Sequence, residues 1–187
     1  MTLFSAPPSN PPSNSKLPRI TAALLLGGCA GVLPADAPAK LVAHPDHLPD
    51  AGADEVVVII NNNAIGGTHA GFFVGALLSD PSGSYLEKRA LDPNWKGASL
   101  ADYVAFQLED GDNVRVYRFG LSAKDFSAIE QRVRSAGLTP PLFCAVAVQN
   151  QIAGVGPFAS LETTGWTSPA ALAERLDPLV RPSSARK

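Results

Sequence analysis

Thr68-His69-Ala70-Gly71-Phe72-Phe73-Val74-Gly75 follows closely on Glu55-Val56-Val57-Val58-Ile59-Ile60. The earlier run is apolar and β-branched, which reads as a buried strand. Asn61-Asn62-Asn63 and Gly66-Gly67 then break it. The later run reads as a second strand with His69 at its beginning, and Ala76-Leu77-Leu78 continues it or pairs with it. Asp80-Pro81-Ser82-Gly83 is a turn by composition.

Helices follow. Ser99 and Asp102 form a capping pattern that opens a helix through about Leu108. Asn113 to Phe119 alternates apolar and polar residues and reads as a strand near a sheet edge. Ser122 and Asp125 repeat the cap before a helix that ends near Gly137. Pro140-Pro141 precede an apolar helix with Cys144 in its first turn, closed by Gly154 and Gly156. Thr167-Ser168-Pro169 combines a cap with a proline at the first helical position, predicting a last helix to about Val180. Separated strands and helices indicate an α+β domain over residues 55–180, a small antiparallel sheet packed against helices.

The N-terminal segment is read differently. Lys16 and Arg19 precede the apolar run Ile20 to Leu26, and Gly27-Gly28-Cys29 follows it. That order is an export-signal pattern, and the run is too short to span a membrane as a helix. It resembles a bacterial lipoprotein signal. The resemblance implies that residues 1–28 are removed and that Cys29 carries lipid. Residues 29–54, Pro- and Ala-rich, then form a tether, and residues 181–187 a frayed tail. Ala30 is not the aspartate that retains such proteins at the inner membrane, so the expected location is the outer membrane, facing the periplasm.

The chain has 187 residues and a formal net charge of −2. Such a balance gives no reason to expect a nucleic acid partner. With 3 His and 2 Cys, one of the cysteines lipidated, the chain cannot build a closed zinc site of the usual Cys/His type. His44 and His47 lie in the Pro-rich lead-in without a third ligand, and no cofactor is expected.

Lipidation of Cys29 leaves Cys144 without a disulfide partner in an oxidising compartment. Such a cysteine is either a buried small hydrophobe or a reactive thiol. Three features favour reactivity. A helix N-terminus stabilises a thiolate. His69, approached through Gly66-Gly67, supplies a proton carrier. A tight turn between Val74 and Leu77 brings Asp80 back beside His69 as the acceptor that orients it; Asn61, Asn62 and Asn63 are alternative polar neighbours.

Together, the His69 strand, the acidic residue after it and Phe143-Cys144-Ala145 opening a helix resemble the circularly permuted papain-like cysteine hydrolases. These are relatives of the NlpC-type cell-wall amidases and of the lecithin:retinol acyltransferase group, and in them the histidine strand precedes the cysteine helix. The resemblance spans roughly residues 56–179. It implies Cys144 as nucleophile, His69 as base and Asp80 as third member, a position where many members carry a second histidine. The expected function is a lipid-anchored hydrolase that cleaves an amide, such as a peptidoglycan stem peptide, through a thioester. An acyl ester or lipid substrate, hydrolysed or used for acyl transfer, is the second expectation. A non-catalytic envelope adaptor is the third. The Ser82 to Gly97 stretch, with Tyr85 and Trp95, is expected to cover the cleft.

Overall fold

A computed structural model describes Pro45 and residues 48–180. The signal segment, Cys29, His44, His47 and the tail 181–187 lie outside the described residues. Four antiparallel strands form one sheet in the order β3-β2-β1-β4: β1 (Glu55–Asn61), β2 (His69–Val74), β3 (Leu77–Ser79) and β4 (Val114–Gly120). β4 lies at an edge, where its alternation placed it.

β1 runs down the middle. Val56, Val58 and Ile60 face one apolar cluster, while Val57 and Ile59 face another. All five are at most 1 % exposed. Burial on both faces is why the run shows no alternation.

On the first face lie α3 (Ala123–Ser135), α4 (Cys144–Ile152) and α5 (Pro169–Leu176). Ile129, Val148, Ile152, Leu172 and Leu176 fill the space against β1 and β2. On the second face lie α1 (Ser84–Arg89) and α2 (Leu100–Gln107). The architecture is α+β, with helices on both sides of a small antiparallel sheet.

The caps form where serine predicts them. Ser99, Ser122 and Ser168 accept hydrogen bonds from the backbone N–H groups of Asp102, Asp125 and Ala171. The last helix ends sooner than its periodicity suggests. α5 stops at Leu176 and tightens into a 3-10 turn, Asp177–Leu179. Pro178 lacks the N–H that would continue the α-helical ladder.

Two segments pack in ways that their sequences do not announce. The Ser82 to Gly97 stretch contains α1, and Tyr85 is fully buried on the second face. Its ring meets those of Tyr103 and Trp95 edge-on, at 5.0 and 6.1 Å between centroids. Tyr85 completes the core beneath the sheet with Trp95 packed against it, while Ser82, at the start of the stretch, reaches toward His69. The domain also begins before residue 55. Leu48 and Ala51 pack on the second cluster, and Asp50 Oδ1 accepts the Leu100 N–H at 2.9 Å.

Candidate active site

The hairpin from β2 to β3 sets the site. Gly75, at φ 54°, starts the two-residue turn between paired Val74 and Leu77. Phe73 then pairs with Leu78 and Phe72 with Ser79. One further step puts Asp80 diagonal to His69, within side-chain reach. Asp80 Oδ1 lies 2.7 Å from His69 Nε2. The other carboxylate oxygen accepts the Tyr85 N–H at 3.0 Å. Asp80 is 5 % exposed and His69 9 %.

β3 pairs only with Phe72, Phe73 and Val74, so the beginning of β2 is open on that edge. The start of α4 packs against β2 there, which brings Cys144 beside Ala70. Cys144 is the first residue of α4. No side chain caps this helix, so its first-turn N–H groups have no intrahelical partner. The approach to it is strained: Leu142 has φ 73°, a left-handed conformation that costs a non-glycine residue roughly 1–2 kcal/mol.

Cys144 is 3 % exposed and is the free cysteine among the described residues. Its thiol lies near enough to the His69 imidazole for each group to shift the other. Nε2 is occupied by Asp80 and by the Tyr103 hydroxyl at 3.0 Å, so Nδ1 is the nitrogen left for the sulfur. Ser82 Oγ stands 3.5 Å from that nitrogen.

Each group shifts the other. Burial alone would lower the His69 pKa; the hydrogen bond to Asp80, followed by the interaction with Cys144, overrides it and raises the value to about 9. For Cys144, burial alone would push the thiol up; the hydrogen bond and charge of His69 bring it below its ordinary value. The pair therefore favours thiolate and imidazolium, the protonation state a sulfur nucleophile needs.

Sequence reasoning brought Cys144, His69 and Asp80 into one hypothesis, and the fold brings the three side chains together. The asparagines serve elsewhere. Asn61 pairs with His69 in the β1–β2 register, but its amide bonds to Gln107, Asp110 and Asn63.

Tyr103 is a residue of the site that the sequence does not single out. Its hydroxyl reaches His69 Nε2 and, at 3.3 Å, Asp80 Oδ1. A glycine inside an apolar strand marks close approach by another group, and Gly71 was that signal. An ideal Cβ at Gly71 would lie 2.1 Å from the Tyr103 hydroxyl.

Among the described residues, no group of three or more His, Cys, Asp or Glu is arranged to hold a metal ion. In comparisons with known proteins, the chain matches no family model, no curated protein and no solved structure.

Proposed function

We propose that this chain is a cysteine hydrolase with a permuted papain-like arrangement, in which Cys144 is the nucleophile, His69 the proton carrier and Asp80 the orienting acceptor. One observation carries the reading: a thiol at an uncapped helix start stands beside an imidazole whose far nitrogen is held by a buried carboxylate. The order, with the histidine strand before the cysteine helix, supports the permuted form.

The chemistry follows from the protonation states. The Cys144 thiolate attacks the carbonyl carbon of an amide. The oxyanion gathers at the α4 N-terminus, where the Cys144 N–H is one donor. His69 Nδ1–H protonates the leaving nitrogen, the C–N bond breaks, and a thioester remains on Cys144. Water, deprotonated by Nδ1, attacks the thioester; the acid leaves and the thiolate–imidazolium pair returns. Asp80 keeps Nε2 protonated throughout and so fixes the tautomer.

The setting is part of the proposal. Residues 16–29 supply the reason to place the enzyme in the bacterial envelope, with lipid on Cys29, at the outer membrane facing the periplasm. A peptide of the cell wall is the substrate class that fits that setting. An acyl ester or lipid is the second reading, favoured by the apolar side chains beside the thiol. Leu142, Phe143 and Trp166 are 76, 39 and 59 % exposed, and the rings of the last two meet edge-on at 5.9 Å.

The test is intact-protein mass spectrometry of the chain with panels of peptide amides and acyl esters. A substrate acyl group retained on Cys144, and absent in His69→Ala, supports the enzyme; the panel that yields it identifies the bond. No adduct from either panel, with a thiol inert to alkylating reagents, contradicts it and favours an adaptor.

A further inference from the structure

We propose that Tyr103 is a positioning residue of this site: its hydroxyl, seated over Gly71, pins the Asp80 carboxylate and closes the Nε2 side of His69, so that the ring presents Nδ1 to Cys144. The inference rests on the cysteine-hydrolase reading.

The geometry is specific. Tyr103 is fully buried on α2, a helix contributing nothing else to the thiol–imidazole pair. Its hydroxyl lies 3.0 Å from His69 Nε2 and 3.3 Å from Asp80 Oδ1. With Nε2–H donating to Asp80, the one Tyr103 proton goes to the same carboxylate. Asp80 then receives three hydrogen bonds, from His69, Tyr103 and the Tyr85 N–H. A carboxylate held at both oxygens cannot turn away from the imidazole.

Room for the hydroxyl exists because position 71 has no side chain; with a Cβ there, the phenol would have to move. The ring is fixed by edge-on packing against Phe73 at 5.8 Å and Tyr85 at 5.0 Å. The titratable groups facing the cluster are Asp80 from the β3 end, Cys144 from α4 and Tyr85 from α1. Tyr85 is in turn bonded to Asp102, which pairs with Arg89. Burial first, and then Asp80, raise the Tyr103 pKa well above its ordinary value. The phenol therefore stays protonated over the working pH range and acts as a donor.

The experiment uses the full chain carrying Cys29→Ser, so that Cys144 is the only thiol. Iodoacetamide labelling is followed from pH 5 to 9 in this parent, in Tyr103→Phe and in Val104→Ala. Val104 is buried on the same helix and has no side-chain group that could hydrogen-bond to the site. The expected result is labelling at pH 6 slowed roughly fivefold or more in Tyr103→Phe, with the midpoint moved to higher pH, as loss of one hydrogen bond beside a charge implies. Val104→Ala lowers the melting temperature without moving the profile.

A folded Tyr103→Phe with the parent profile overturns the inference alone, as does an equal shift in Val104→Ala. A parent thiol with an ordinary profile overturns the hydrolase reading and this inference with it. A measurement independent of any variant is the proton NMR signal of His69 Nε2–H in the parent. A signal protected from solvent exchange is expected; rapid exchange contradicts a closed Nε2 side.

Discussion

Cys144, first residue of α4, and His69, first residue of β2, hold each other in their charged forms. The imidazole brings the thiol below its ordinary value, and the thiol adds to the effect of Asp80 that raises the imidazole to about 9. Two pH profiles of different shape follow. Alkylation needs only the thiolate, so it rises through the lowered thiol pKa and then stays high. Hydrolysis also needs the imidazolium as acid, so it falls again through about pH 9. A hydrolysis profile without that alkaline limb contradicts His69 as the acid.

The same pair shapes stability. His69, raised from 6.5 to about 9, contributes stability that is complete below pH 6.5 and is lost as pH rises through about 9. Cys144, lowered from 9.0, contributes stability present above about 9 and lost as pH falls through its folded value. Above both 6.5 and the lowered Cys144 value, and below about 9, the folded pair carries its proton on His69 and the unfolded chain carries it on Cys144. The count is equal, so the two slopes cancel. Thermal midpoints are expected to show no contribution from this pair across that window. In Cys144→Ala the cancellation is gone, and stability declines from pH 6.5 upward as far as Asp80 keeps His69 raised. Identical midpoint profiles for the two proteins contradict the coupling.

Asp80→Asn keeps an acceptor for the Tyr85 N–H but removes the charge that faces His69. The fold is expected to survive with a loss of about 1–3 kcal/mol, the range for disturbing a buried hydrogen-bonded charge. Turnover is expected to fall about 100-fold or more, because the imidazole loses both its charge partner and its fixed tautomer. Denaturant unfolding and steady-state rates check the two halves separately. Unchanged turnover in a folded Asp80→Asn removes Asp80 from the mechanism.

Gly71→Ala tests the seat of Tyr103. The added Cβ has the hydroxyl at 2.1 Å and the ring carbon behind it at 2.9 Å. Neither is the end of a flexible chain, since the ring is held by Phe73 and Tyr85. Overpacking of this kind costs about 1–3 kcal/mol. The melting temperature should fall, and labelling of Cys144 at pH 6 should slow. A variant as stable and as reactive as the parent contradicts the close packing at this position.

Much of this was legible because the signals are local. β1 announces itself by a β-branched run, α2, α3 and α5 by their serine caps, and the position of Asp80 by the length of a hairpin. Cys144 stood out as a thiol at a helix start. Less legible were features that depend on which elements meet. Ser84–Arg89 is a six-residue helix without a side-chain cap, and its Tyr85 belongs to the core rather than to a cleft cover. Tyr103 looks like any apolar helix position until β2 and α2 are laid together, and Gly71 then explains how its hydroxyl reaches His69. The strained Leu142 leaves no trace in the sequence, because leucine is not a residue that announces a left-handed turn.

The most direct test is the rate of Cys144 alkylation against pH, in the Cys29→Ser chain and in the same chain with His69→Ala. The account predicts rapid labelling below neutral pH in the parent and a sharp loss of it in the mutant, whose thiol titrates near or above its ordinary value. Slow labelling that appears only near pH 9 and is indifferent to His69 would make Cys144 a buried structural residue and contradict the catalytic assignment.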